Sequence, residues 1–299
     1  MKAKTVQGVI LFVFLFFLSS PSEAQKLKIY ISVDMEGITG VVHTDQTSAT
    51  GSDYSRGRKW MAEDVNAAIL GALDAGATEI IVNDSHGSMR NILPSDLHPA
   101  ATLITGMPKP LLQMEGIDES FDAVMFIGYH PRAGTINGIL DHTIAGAVVR
   151  SVTINGAEMP EVGINALIAG HYNVPVVLVA GDRAVCDQAK EILGNSVATA
   201  AVKEAIGRYA AMNLSLERAH QLIRQQAKSA LERRRQIQPF KLTAPYRIEL
   251  AYHTSAQADN AMAVPGVRRL NPRTVQVEAS DMVAGFKLLW LLITLGRET

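Results

Sequence analysis

The chain has 299 residues, 47% of them apolar and 19% charged, with a net charge of −1 at pH 7. That composition is ordinary for a globular protein of one large or two modest domains, and the near-neutral charge excludes a general electrostatic affinity for nucleic acid. The one cysteine, Cys186, excludes an intramolecular disulfide.

The first 24 residues read as an export signal. Lys2 and Lys4 precede an apolar core from Val9 to Leu18, and Ser22-Glu23-Ala24 is a small-residue cleavage site. The core of about ten residues is short of the ~20 that span a bilayer, so cleavage after Ala24 is expected, with an uncleaved anchor as the alternative. This places the mature chain in the periplasm or outside the cell, with no stable membrane insertion.

The mature chain opens with an apolar run, Leu27 to Gly37, that ends in Asp34-Met35-Glu36-Gly37. Alternate residues of an extended chain share a face, so Asp34 and Glu36 project together from the strand end. Two carboxylates in one place repel unless a proton or cation lies between them, although a D-x-E at a strand end also reads as a solvated turn. A polar loop from Thr39 to Gly57 follows. Arg58 to Ala75 predicts an amphipathic helix, with Trp60, Met61, Val65, Ile69 and Leu73 at helical spacing and Gly76 as its stop. Thr78 to Val82 is a short strand running into Asn83-Asp84-Ser85-His86, which completes a βαβ rhythm.

A further strand is expected near Thr102 to Thr105, and Asp122 to Gly128 is another, ending in Tyr129-His130. After a flexible loop at Gly134 to Gly138 comes His142. Val148 to Ile154 with Asn155-Gly156 predicts a hairpin arm and its turn. Pro160-Glu161 opens a helix to His171, Val174 to Ala180 is a buried strand, and Ala184 to Leu193 is a helix. Beyond these, Leu214 to Arg235 predicts a long charged helix. Arg247 to His253 and Thr274 to Glu278 alternate as antiparallel strands, and Met282 to Leu295 is an apolar helix capped by Ser280-Asp281. The expected architecture is α/β, a three-layer arrangement of sheet flanked by helices (residues 25–195), with an α+β C-terminal portion (196–299).

Three strand-like segments thus end in potential metal ligands: Asp34 and Glu36, His86, and His130. In an open parallel sheet the carboxyl ends of the strands share one edge, so these groups can meet there. Glu161 at a helix start adds a third carboxylate. Imidazole and carboxylate without thiolate suit Zn²⁺, and also Mn²⁺, Co²⁺ or Fe²⁺. Five ligands exceed the usual three of one catalytic zinc, whereas two metals sharing a carboxylate use all five. Three carboxylates against two divalent ions leave −3 + 4 = +1, a charge that lowers the pKa of bound water and polarises a carbonyl. His142 is a base candidate; Asp141 beside it and Asp84 near His86 are candidate orienting partners, and Tyr129 is an oxyanion donor or a packing residue.

SVDMEG, NDSH, GYH, the isolated His142 and PEVGINA, in that order, resemble the M55 family of metallopeptidases, the D-aminopeptidases, from about Lys28 to Asp182 and more weakly beyond. The resemblance implies a binuclear zinc site, two Zn²⁺ per subunit, liganded by Asp34, Glu36, His86, His130 and Glu161 with Asp34 bridging. It also implies His142 as the catalytic residue and a homo-oligomer, a decameric ring whose sites face an inner chamber. The export signal sets the chain apart from the family pattern, as does a His130–His142 loop one residue longer. The expected activity is a zinc-dependent aminopeptidase acting on short peptides and releasing N-terminal D-amino acids such as D-Ala. Its rivals are a dimetal hydrolase of another amide or a phosphoester, and an exported peptide-binding protein with structural metals. G-x-S-x-G, H-E-x-x-H, Walker-type and G-x-G-x-x-G motifs are all absent from the sequence.

Overall fold

The structure, a computed structural model, describes residues 1–5 and 26–297. The apolar core and cleavage site of the expected export signal lie outside the described residues. The first half runs β1 (Lys28–Val33), α1 (Thr44–Thr47), α2 (Tyr54–Asp74), β2 (Glu79–Asp84), β3 (Ala101–Ile104), β4 (Ala123–Tyr129), β5 (Val149–Ile154) and β6 (Ala157–Glu158). The second half runs α3 (Glu161–His171), β7 (Val176–Asp182), α4 (Arg183–Leu193), β8 (Ala198–Gly207), β9 (Ala210–Asn213), α5 (Leu216–Glu232), β10 (Tyr246–Tyr252), α6 (Ser255–Ala261), β11 (Arg268–Asn271), β12 (Thr274–Ala279) and α7 (Met282–Leu295).

The strands form two sheets. The larger has the order β3-β2-β1-β4-β7-β8-β9, parallel from β3 to β8 with β9 antiparallel at the edge. The smaller, β11-β12-β10-β5-β6, is antiparallel throughout. The molecule is therefore α/β with helices flanking the large sheet. Met61, Val65 and Ile69 of α2 and Ile223 and Ala227 of α5 bury against Ile29, Ile31, Met125 and Ile127 on one face. Val162 and Leu167 of α3 and Val185 and Ala189 of α4 pack against Tyr30, Phe126 and Val179 on the other, and this second core continues to α7 and the small sheet. Burial of each valine, leucine, isoleucine or methionine among them contributes roughly 1.5–3 kcal/mol.

The expected helices start or stop within a few residues of the observed ones, and their caps follow from side chains. Asp182 accepts from the Val185 N–H, Ser215 from Arg218, and Asp281 from Ala284. The loop expected from Thr39 to Gly57 contains α1 and the first turn of α2. The hairpin β8–β9 lies where no strand was expected, and it extends the large sheet. Residue 195 thus falls between α4 and β8, within the chain path of the large sheet, and the small sheet draws strands from both sides of it.

Strand order turns back on itself between β1 and β4, so a crevice opens at their carboxyl ends. Two glycines let the backbones close there. A Cβ on Gly37 would strike the Tyr129 carbonyl, and one on Gly128, at φ +72°, would strike the Asp34 carbonyl. Gly37 N–H donates to Gly128 O at 2.7 Å and Asp34 N–H to Ile127 O at 2.8 Å, which pins the end of β1 beside the end of β4.

Candidate metal centre

All six predicted site residues meet in this crevice. Asp34 and Glu36 follow β1, His86 follows β2, His130 follows β4, Glu161 is the first residue of α3, and His142 lies in the loop before β5. Asp34 sits centrally. Its Oδ1 is 3.2 Å from His86 Nδ1, and its Oδ2 is 3.6 Å from His130 Nε2. On the first side His86 Nδ1 also approaches Glu36 Oε2, at 3.0 Å. On the second, His130 Nε2 is 3.3 Å from Glu161 Oε1, which is in turn 3.9 Å from His142 Nε2. The donors fall into two groups, Asp34/Glu36/His86 and His130/His142/Glu161, each with its atoms within 4.8 Å of one another.

Backbone carbonyls orient the three imidazoles. A carbonyl only accepts, so the ring nitrogen against it must carry the hydrogen. His86 Nε2 donates to Thr47 O at 3.0 Å, His130 Nδ1 to Pro131 O at 3.0 Å, and His142 Nδ1 to Leu140 O at 2.9 Å. In the neutral rings the other nitrogen then presents a lone pair: Nδ1 of His86 and Nε2 of His130 aim at carboxylate oxygens. A lone pair facing an anion calls for a proton or a cation between them, and His130 Nε2 is buried with no hydrogen-bond partner. The residues therefore fit divalent metal.

The electrostatics say the same. Burial, and then Glu36, push the Asp34 carboxyl up to about 7. Burial works against a charged His130, but Glu161 and Asp34 outweigh it and raise the ring to about 10. Burial would lift Glu161, yet His130 holds it at about 2. Glu36 is likewise held well below the usual carboxylate range against its burial, by His86, and His86 is raised well above its ordinary value by Glu36 and Asp34. The cluster demands positive charge at its centre. His142 differs: burial first, then His130 stacked on it at 4.1 Å, lowers its pKa.

Residues without a sequence signature hold the ligands in place. Gln113, in the turn before β4, donates through Nε2 to Glu161 Oε2 and accepts from Asn165 Nδ2 at 2.6 Å. The Ile144 N–H donates to Glu161 Oε1 at 2.6 Å. Lys203 of β8 is buried and donates to the carbonyls of Glu36, Ile38 and Val41, fixing the segment that carries Glu36. Arg208, at the β8–β9 turn, binds Asp141, and its carbonyl accepts from Leu140 N–H at 3.1 Å, which sets the backbone of His142.

Three expected roles fall elsewhere. Asp141 pairs with Arg208 and donates no orientation to the His142 ring, which Leu140 holds instead. Asp84 accepts from the Asn91 and Ile92 N–H groups and the Asn91 side chain, so it shapes the loop after His86 without touching the ring. Tyr129 is fully buried with its hydroxyl committed to Ser32 at 2.7 Å and Asn165 at 3.0 Å, which makes it a packing residue and no oxyanion donor.

Comparison with known proteins now bears on the site. The family model for peptidase M55, D-aminopeptidase, matches residues 27–291. The chain belongs to the M55 peptidase family. It is 38% identical over 276 residues to the D-aminopeptidase of Bacillus subtilis (strain 168), covering 91% of this chain and 99% of that protein. A solved structure, the Zn-dependent D-aminopeptidase DppA from Bacillus subtilis, a self-compartmentalizing protease, superposes with a TM-score of 0.89 at 36% identity, over 91% of this chain and 99% of the other. As an M55 peptidase the chain is an aminopeptidase, a hydrolase of peptide bonds, and the large sheet with its flanking helices is the fold of that solved relative. Among the described residues no helix is long and apolar enough to cross a membrane.

Proposed function

We propose that this M55 peptidase is a zinc-dependent D-aminopeptidase that releases N-terminal D-residues, D-Ala among them, from short peptides, using two zinc ions per subunit. The observation that carries the reading is the division of Asp34, one oxygen toward His86 and the other toward His130. Asp34, Glu36 and His86 would hold one ion, and Asp34, His130 and Glu161 the other. Imidazole and carboxylate without thiolate suit zinc, and the solved relative is described as Zn-dependent. When bound, the ions supply Lewis acidity to the scissile carbonyl and the attacking water.

His142 moves the proton. Its Nδ1–H is spent on Leu140 O, and its lowered pKa keeps the ring neutral near pH 7, so Nε2 is free to accept. It takes a proton from the attacking water and returns it to the departing amine. Arg208 and Leu140 keep that nitrogen facing Glu161, while Gln113 and Ile144 keep the Glu161 carboxylate from rotating away.

The same reading extends to assembly and address. The solved relative is a self-compartmentalizing protease, and we infer a homo-oligomer here, a decameric ring whose sites face an inner chamber. Ile136, Ile206, Tyr209 and Met212 are exposed on the loop after His130 and on the β8–β9 hairpin, apolar surface that a neighbouring subunit would cover. The export signal expected from the sequence would carry the protein to the periplasm or outside the cell, where D-Ala-containing peptidoglycan fragments would be its substrates.

Metal stripping followed by zinc add-back, assayed with D-Ala-p-nitroanilide, its L-isomer and p-nitrophenyl phosphate, tests the function. The expected result is activity that returns only with zinc and favours the D-isomer. Zinc rebinding with no hydrolysis of either anilide would sink the proposal in favour of an exported binding protein. Hydrolysis of the phosphate alone would point to the phosphoesterase rival.

A further inference from the structure

A cavity of about 90 Å³ is lined by Gln113 and Ile144, the two residues that hold the Glu161 carboxylate, and by Ser85 and Gly87 on either side of His86. Its walls are the side chains of Met89, Leu112, Ile144, Phe286 and Trp290, the last two from α7. The polar groups that reach it are already engaged. Gln113 commits its amide nitrogen to Glu161 and its amide oxygen to Asn165, and the Ser85 hydroxyl is bonded to Ser32 at 2.6 Å. What remains for a ligand is a small recess with apolar side chains in its wall and one cation, Arg297.

Arg297 stands just past α7 with its guanidinium 5.0 Å from the centre of the Trp290 ring, a cation–π contact that holds it at this wall. Arg297 is exposed, and among the described residues no carboxylate pairs with it. A planar guanidinium beside apolar side chains matches a carboxylate attached to an apolar residue.

We propose that this cavity is the subsite for the residue on the leaving side of the scissile bond, taking a small apolar side chain, while Arg297 binds the free α-carboxylate of that residue. The inference rests on the aminopeptidase reading and makes dipeptides with an unblocked C-terminus the tightest-binding of its substrates, without excluding those that lack the carboxylate. The C-terminal helix then serves as one wall of the active site as well as a part of the core.

Calorimetry with reduced-bond (CH₂–NH) analogues of D-Ala-D-Ala, which cannot be hydrolysed, tests this on the zinc-loaded protein. The free acid should bind about two- to fivefold more tightly than its C-terminal amide, the effect of one ion pair to an exposed arginine. Arg297→Gln should erase that difference, and Arg297→Lys should keep part of it. The analogue of D-Ala-Gly should bind more weakly than that of D-Ala-D-Ala. Equal binding of acid and amide to the unmodified protein, or an acid preference that survives Arg297→Gln, would overturn the proposal. Wild-type hydrolysis of D-Ala-p-nitroanilide, which carries no carboxylate, scores the aminopeptidase reading separately.

Discussion

Gln113→Leu isolates one metal position from the other. The substitution keeps the approximate volume but removes both ends of the amide, so Glu161 Oε2 loses its donor and retains only the Ile144 N–H on the other oxygen. A hydrogen bond to a charged, buried acceptor is worth roughly 1.5–3 kcal/mol. At about 1.4 kcal/mol per decade this is about a ten- to hundredfold loss of zinc affinity, the range expected when a partner of a metal-binding carboxylate is removed. Asn165 loses its bond to Gln113 but keeps Tyr129, so its share of the cost is small. The Glu36 and His86 side of the centre makes no contact with Gln113 through its amide, and that position should bind zinc as before. Competitive titration against a chromophoric chelator resolves the two equivalents: one weakened, one unchanged. Wild-type affinity at both positions would refute the reasoning, and so would equal weakening of both.

Two further outcomes follow from the same geometry. Zinc binding at pH 7 should expel protons, because His130 is raised to about 10, His86 is raised as well, and Asp34 titrates at about 7. Only the deprotonated groups bind metal, so affinity should rise with pH from about 6 to 9, and the calorimetric heat should change with the ionisation enthalpy of the buffer; a flat profile in both would contradict the charge balance. His142→Ala should retain two zinc equivalents and lose about a hundred- to ten-thousandfold in kcat, as expected for a lost proton shuttle. A fall to one equivalent would instead make His142 a ligand beside His130 and Glu161.

Much of the centre was legible because parallel strands turn sequence-distant ends into neighbours. Asp34, His86 and His130 each follow a short apolar run, and the β2-β1-β4 order brings those runs side by side. Glu161 does not end a strand and joins the candidate ligands as a carboxylate at a helix start and through the PEVGINA resemblance; its place against His130 comes from the packing of α3 over the large sheet. The β8–β9 hairpin was not legible: Ala198 to Asn213 is rich in alanine, which gives little strand signal. With it went Lys203, a lysine inside a strand whose three backbone partners lie more than 160 residues away, and Arg208 at the turn. Gln113 sits in a single 3₁₀ turn with no period to read. The orienting role expected of Asp84 and Asp141 belongs instead to carbonyls of Thr47, Pro131 and Leu140, and backbone acceptors leave no trace in side-chain identity.

The most direct test of the dimetal centre is diffraction at the zinc absorption edge from zinc-loaded crystals. Two anomalous peaks per subunit are predicted, one among Glu36, His86 and Asp34 and the other among His130, Glu161 and Asp34, with both Asp34 oxygens engaged. A single peak, or two peaks with Asp34 bound to only one of them, would contradict it.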